Sequence, residues 1–181
     1  MIELFGLPIY IGVDSTDLTS IEKDILTMSN DPSDHISNDG GWQSQDKHLH
    51  LVDHIINLHV KKYFRQLGND SVNYTITSQW ANVNTPGSAN IMHNHGDADF
   101  SGIVYIKVPK NSGNLFLHNP YAPVRNLTAV FPFAKNSSTG HYVEVETGLV
   151  VLFPGNVFHQ VLVNRSEENR ISVAFNLDID K

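Results

Sequence analysis

The hydrophobic pattern changes character at Gly68. Before it, apolar positions recur at helical spacing. In "STDLTSIEKDILTM" (15–28), Ser, Thr and Asp offer capping groups, and Leu18, Ile21, Ile25 and Leu26 follow on one side. In "SQDKHLHLVDHIINLHVKKYFRQLG" (44–68), Val52, Ile55, Ile56, Val60, Tyr63, Phe64 and Leu67 form an apolar stripe that Gly68 ends. Both stretches are expected to be helices. The intervening "DPSDHISNDGGW" (31–42) is punctuated by Pro, Asp, Asn and paired Gly, and reads as a loop. After Gly68, segments rich in Val, Ile, Tyr, Phe and Thr alternate with Gly, Pro, Asn and Ser. They predict strands near 73–83, 89–97, 100–108, 114–118, 126–134, 141–146, 149–153, 156–164 and 170–178, with "LFGLPIYIG" (4–12) as a further candidate. Many short strands with tight turns and no intervening long helix predict a mainly β sandwich or barrel rather than a parallel α/β sheet. The two helices are expected to pack on the outer face of one sheet.

Composition narrows this picture. The 181 residues suit one domain with a substantial core, and no repeat, low-complexity tract or linker divides them. The net charge of −7 and the lack of a basic run argue against nucleic-acid binding. Without cysteines there are no disulfides or thiolate metal sites, which fits a cytoplasmic location. The N-terminus lacks the basic start of a signal peptide, and no apolar run approaches a membrane span. Four of the ten histidines (His48, His50, His54 and His59) fall in the second helical stretch without a shared face and have no evident chemical role.

Candidate chemistry sits in two strand-like stretches. In "NIMHNHGDADFSGIVYIKV" (90–108), alternation puts His93, His95, Asp97 and Asp99 on one face, where burial is costly unless something is bound. In "GLVVLFPGNVFHQVLVNRSEENRISVAFNLDI" (148–179), His159 lies among apolar residues, and Arg170 and Ser172 follow on the next strand, sharing a face. A His-x-Asp pair with one distant His is the 2-His-1-carboxylate arrangement, which leaves positions open on a non-haem Fe(II). A 2-oxo acid can take two of them and dioxygen the third. Its remote carboxylate needs a planar, permanently charged partner such as Arg170, with Ser172 adding a hydroxyl.

Over roughly residues 76–179 the chain resembles the 2-oxoglutarate- and Fe(II)-dependent oxygenases, in particular a small branch found in bacteria and phages. The resemblance is carried by "WANV" (80–83), His93–His95, Ser101–Tyr105, "SGNLFLHNP", "GLVVLFPGNVFHQV" and "RISVAFN" in that order. It implies a double-stranded β-helix (jelly roll) whose cofactor is Fe(II) and whose co-substrate is 2-oxoglutarate. It further implies oxidative decarboxylation to succinate, with hydroxylation as the default outcome. The relatives often show His-x-His where broader families show His-x-Asp, and "HNHGD" contains both. Because a carboxylate offsets the metal charge, the expected ligands are His95, Asp97 and His159, with His93 as the alternative to Asp97. Arg170 and Ser172 are expected to hold the 5-carboxylate, and Tyr105 is either a hydroxyl donor to the co-substrate or core. Trp80, Asn82 and Asn176 could face the pocket, while Asp99 and His118 read as solvated or structural and Leu115 and Phe116 as core. Expected partners are dioxygen and a small-molecule or peptidyl substrate contacted by loops 31–47 and 119–125 or by the helices, with neither membrane nor nucleic acid; a homodimer is left open. The rival readings are a cupin-like metalloenzyme that does not use 2-oxoglutarate and a non-catalytic jelly-roll binding module.

Overall fold

The computed structural model describes residues 1–4, 6–34, 36–45, 48–120 and 139–180. Twelve strands and two helices are assigned among them. The N-terminal hairpin is β1 (Ile2–Leu4) and β2 (Leu7–Val13), and α1 (Thr19–Met28) follows. Two short strands come next, β3 (Asn38–Asp39) and β4 (Trp42–Gln43), then α2 (Asp53–Gln66). The rest is β5 (Tyr74–Asn84), β6 (Ala89–His93), β7 (Phe100–Lys107), β8 (Leu115–His118), β9 (Gly140–Val143), β10 (Leu149–Pro154), β11 (His159–Val161) and β12 (Arg170–Ile179).

These strands form a seven-stranded sheet, β1-β2-β10-β7-β12-β5-β4, and a five-stranded sheet, β3-β6-β11-β8-β9. From β5 to β12 the chain alternates between the sheets, except for the β8–β9 pair. All strand pairings are antiparallel, and this is the jelly-roll arrangement that the resemblance implied. Strand alternation splits the core in two. Ala81, Val83, Val104, Ile106, Val150, Leu152, Ile171, Val173 and Phe175 face outward and pack with Ile21 and Ile25 of α1 and Ile55, Ile56, Val60 and Tyr63 of α2. The helices therefore cover the outer face of the large sheet, as the sequence predicts. The opposite face carries Ile103, Tyr105, Leu149, Val151 and Phe153, which meet Leu115, Leu117 and Val161 of the small sheet.

Several boundaries differ from the sequence reading. The second helix begins at Asp53, not near Ser44. Upstream, the Ser44 and Leu49 N–H groups donate to Ala81 and Gln79 of β5, and His48 bridges to Gln79. Pairing with a sheet edge thus takes donors that a helix would use, overriding local propensity. His48 and His50 consequently lie outside the helix. His59 is buried in it, with its ring nitrogens at 2.8 Å from the Tyr10 hydroxyl and 3.1 Å from Asp14. The C-terminal end is as expected: Gly68 adopts φ +78°, and the Gly68 and Asn69 N–H groups donate to Arg65 and Phe64. The first helix starts at Thr19, after an Asp17 side chain that accepts from the Thr19 N–H. Loop 31–42 contains two short edge strands. The strand expected at 126–134 lies outside the described residues. Among the described residues no helix is long and apolar enough to cross a membrane.

Candidate metal and co-substrate site

The inner face of the large sheet carries its functional side chains in transverse rows set by strand register. One row is Phe153–Ser101–Asn176–Ser78. The next is Val151–Ile103–Ala174–Trp80, and the third is Tyr105–Ser172–Asn82–Gln43. Arg170, paired with Asn84, lies beyond them. Polar rows therefore flank an apolar one. The small sheet supplies the histidines: His159 on β11 is the register partner of His93 at the end of β6.

His93, His95 and His159 converge. One nitrogen from each lies within 4.8 Å of the others, and the ring centroids are 5.1, 4.3 and 5.2 Å apart. The His159 ring also packs on Phe153 at 4.8 Å, and His95 on Trp80 at 5.4 Å. Burial lowers the proton affinity of all three rings, to pKa values of about 4 for His95 and about 3 for His159. Each is thus neutral at pH 7 and has a lone pair to offer. In two of them that lone pair is oriented. Nδ1 of His93 is 2.7 Å from the Ile91 carbonyl, and Nδ1 of His159 is 3.0 Å from that of Val157. A carbonyl can only accept, so Nδ1 carries the proton and Nε2 is the free ligand atom.

Asp97 is not in this group. β6 stops at His93, so alternation does not extend to residue 97, and Asp97 sits exposed in the following turn. Hydrogen bonds pin that turn on both sides: the His95 N–H donates to Gly155 at 2.8 Å, and the Gly155 N–H donates to Asp99 at 3.0 Å. Gly155 is needed there, because a Cβ would lie 2.1 Å from the Ala98 carbonyl oxygen. The structure thus gathers the alternative set, His93 with His95 and His159, and among the described residues no carboxylate joins it. His95 reaches the cluster from a turn, not from a strand.

A pocket runs from the three histidines past Trp80, Ser101, Ile103 and Ala174 to Asn82 and Ser172. Next to Ser172 lie Tyr105 and Arg170, both fully buried. Nη1 of Arg170 is fixed by the carbonyls of Ser112, Gly113 and Leu162. Its Nε and Nη2, and the Tyr105 hydroxyl, have no hydrogen-bond partner among the described residues. Burial lowers the Arg170 pKa and pushes that of Tyr105 up to about 12. A buried guanidinium with unmet donors beside an unmet hydroxyl is costly by itself and suits a carboxylate. A neutral three-imidazole donor set at the other end suits a divalent transition metal. The residues present therefore fit both Fe(II) and a 2-oxo diacid.

The remaining candidates divide. Asn176 faces inward and its Oδ1 accepts from Ser101. Asp99 is structural: its carboxylate accepts from the Ile179 N–H at 2.9 Å. His118 packs edge-on to Phe116 at 4.8 Å. Leu115 and Phe116 are buried as expected. Sequence reasoning missed Ser37 and Asn90 in the pocket wall and the Ser112 carbonyl at Arg170. Pairing of β3 with β6 brings the first two in, and nothing in "KNSGN" announces the third.

A model of the family described as "Putative 2OG-Fe(II) oxygenase" matches residues 78–176, more than half of the chain. No curated protein matches in sequence. Similar solved structures include a prolyl-4-hydroxylase from Pseudomonas putida (14% identity, covering 96% of this chain and 93% of that one, TM-score 0.62). SnoK, a non-heme alpha ketoglutarate dependent carbocyclase from nogalamycin biosynthesis, aligns at 14% identity over 96% and 80% of the two chains, with a TM-score of 0.65. HygX from Streptomyces hygroscopicus, solved with nickel and 2-oxoglutarate bound, aligns at 15% identity over 95% and 83%, with a TM-score of 0.62. At these identities the likeness is one of fold.

Proposed function

The chain belongs to the 2OG-Fe(II) oxygenase family, and on that premise we propose that it is an Fe(II)- and 2-oxoglutarate-dependent dioxygenase that hydroxylates a small-molecule or peptidyl substrate. Fe(II) and 2-oxoglutarate are the cofactor pair of that family. The observation that carries the reading is a pair of unmet groups: three converging neutral histidines in the pocket wall, and, two residues along β12 from Ser172 in the same wall, a buried Arg170 whose Nε and Nη2 have no partner among the described residues.

His93, His95 and His159 would hold the metal through nitrogen lone pairs. When bound, the metal supplies oxygen activation coupled to decarboxylation of 2-oxoglutarate to succinate. The protein's own part is binding and exclusion of water. Arg170 would meet the distal carboxylate with Nε and Nη2, since its Nη1 is already committed to backbone. The Tyr105 hydroxyl, which keeps its proton at any physiological pH, would donate to the same carboxylate, with Ser172 beside it. Ile103, Ala174 and Trp80 would line the methylene chain between the two ends. Asp97 would stay in the turn, outside the ligand set.

The test is anaerobic reconstitution with Fe(II) and 2-oxoglutarate, reading the weak visible charge-transfer band of the chelate. The wild type should show the band, and Arg170→Ala and His159→Ala should lose it. Iron binding without a band would point to a cupin-like enzyme that does not use 2-oxoglutarate. A wild type that holds no iron would refute the histidine cluster as a metal site.

A further inference from the structure

A second cleft, of about 900 Å³, lies beyond Leu115, Val143 and Val161, at the end of the small sheet away from His159. It shares no lining residue with the histidine pocket. Its walls are tied to one another by hydrogen bonds. The Leu162 N–H donates to the Asn114 carbonyl at 2.9 Å, the Arg165 N–H to that of Asn111 at 3.0 Å, and the Val108 N–H to Thr147 Oγ1 at 3.0 Å. The cleft is thus formed before anything binds. Its apolar lining comes from Val108, Pro109, Val145, Leu162 and Val163. Its polar lining comes from two cations, Lys110 and Arg165, two carboxylates, Glu144 and Glu146, and two amides, Asn111 and Asn114. None of these six side chains has a hydrogen-bond or ion-pair partner among the described residues. Ser112 also lines the cleft; it is only 2% exposed, and its Oγ is likewise without a described partner.

The wall is shared with Arg170. Ser112, Gly113 and Leu162, whose carbonyls accept from Arg170 Nη1, all line the cleft. One layer of backbone therefore separates it from the buried guanidinium. We propose that this cleft binds an extended polypeptide segment carrying charges of both signs, and that its occupancy is transmitted to Arg170 through the shared backbone. An anion alone would meet Glu144 and Glu146, and a cation alone would meet Lys110 and Arg165; a ligand with both signs can pair with each set. Asn111 and Asn114 each offer a donor and an acceptor, the two groups that a peptide unit presents. The apolar lining takes a side chain between the charges. A segment seated there holds the turn whose carbonyls fix Arg170, so it should tighten 2-oxoglutarate binding. This coupling, unlike the binding itself, rests on the function proposed above.

Fluorescence anisotropy of labelled, end-blocked tripeptides on the metal-free protein tests the site, with lysyl-leucyl-glutamate, lysyl-leucyl-lysine and glutamyl-leucyl-glutamate as probes. The mixed peptide should bind about ten-fold tighter than either of the others. Glu144→Lys combined with Glu146→Lys should shift the preference to the doubly acidic peptide; both positions are exposed, so the fold is kept. Equal binding of all three, no binding of any at millimolar concentration, or a preference unmoved by the charge reversal would overturn the site. The coupling is read by calorimetry of 2-oxoglutarate on the Ni(II)-loaded protein. Saturating mixed peptide should tighten it about five-fold or more, and an unchanged affinity would overturn the transmission to Arg170. A wild type that binds the peptide but no 2-oxoglutarate refutes the oxygenase reading alone, so the two failures are distinct.

Discussion

Loss of stability in mild acid follows directly from how His159 is buried. Its side chain is only 3% exposed, and burial, reinforced by the neighbouring His93, puts its pKa near 3. In the unfolded chain the same ring titrates near 6.5. The native state therefore binds fewer protons than the unfolded state below pH 6.5, so stability falls as pH falls. The loss begins at the unfolded value and continues down to the native value. pH 5 lies about 1.5 units below the unfolded pKa, which at about 1.4 kcal/mol per unit amounts to roughly 2 kcal/mol. His95, with a native pKa near 4, titrates by the same route, and because pH 5 also lies above its native value its share there is similar. Asp14 and Asp17, whose carboxyls are held below the usual range, act only at lower pH. The assay is urea unfolding of chelator-treated protein at pH 7 and pH 5, for wild type and His159→Gln. The variant's stability at pH 7 is not the readout; the difference between the two pH values is, and it should shrink by about 2 kcal/mol. An unchanged difference would mean that His159 is not buried neutral, and the geometry of the cluster would have to be redrawn. Saturating Ni(II) should raise wild-type stability at pH 7, by about 3 kcal/mol at one hundred times its dissociation constant, and less at pH 5.

Three further outcomes follow from the same structure. Asp97→Asn should leave Co(II) affinity within about three-fold, whereas His93→Ala should lower it at least about a hundred-fold; the reverse order in a metal titration would restore Asp97 to the ligand set. Gly113→Ala and Gly87→Ala share positive φ, but only the first meets backbone, at 2.2 Å. Their urea midpoints should therefore correspond to losses of about 3 and about 1 kcal/mol, and equal losses would discount the close approach to Leu162. Arg170→Met exchanges a buried cation without a described carboxylate partner for an apolar chain, so unliganded stability should stay within about 2 kcal/mol. Its thermal shift with 2-oxoglutarate should vanish, whereas a collapse of more than about 4 kcal/mol would make Arg170 a structural pin.

The sequence by itself determined the fold class and the two ends of the site. Its apolar spacing marked two helices and a run of strands, because burial of one face imposes periods of 3.6 and 2. His159, Arg170, Ser172 and the "HNHGD" stretch were legible because ionisable groups on apolar strands need something to bind. Tertiary structure decided the rest. Parity along the chain assigns a face only while the strand lasts, and β6 ends at His93. What brings His95 inward and leaves Asp97 outside is a turn hydrogen-bonded to Gly155, sixty residues away from His95 in the chain. The helix expected from Ser44 gave way to pairing with β5 for the same kind of reason: a distant strand offered acceptors to its N–H groups. Tyr105 acquired its meaning only when register set it opposite Ser172 and near Arg170. Local pattern fixes which residues must be buried, but only long-range pairing fixes which of them meet.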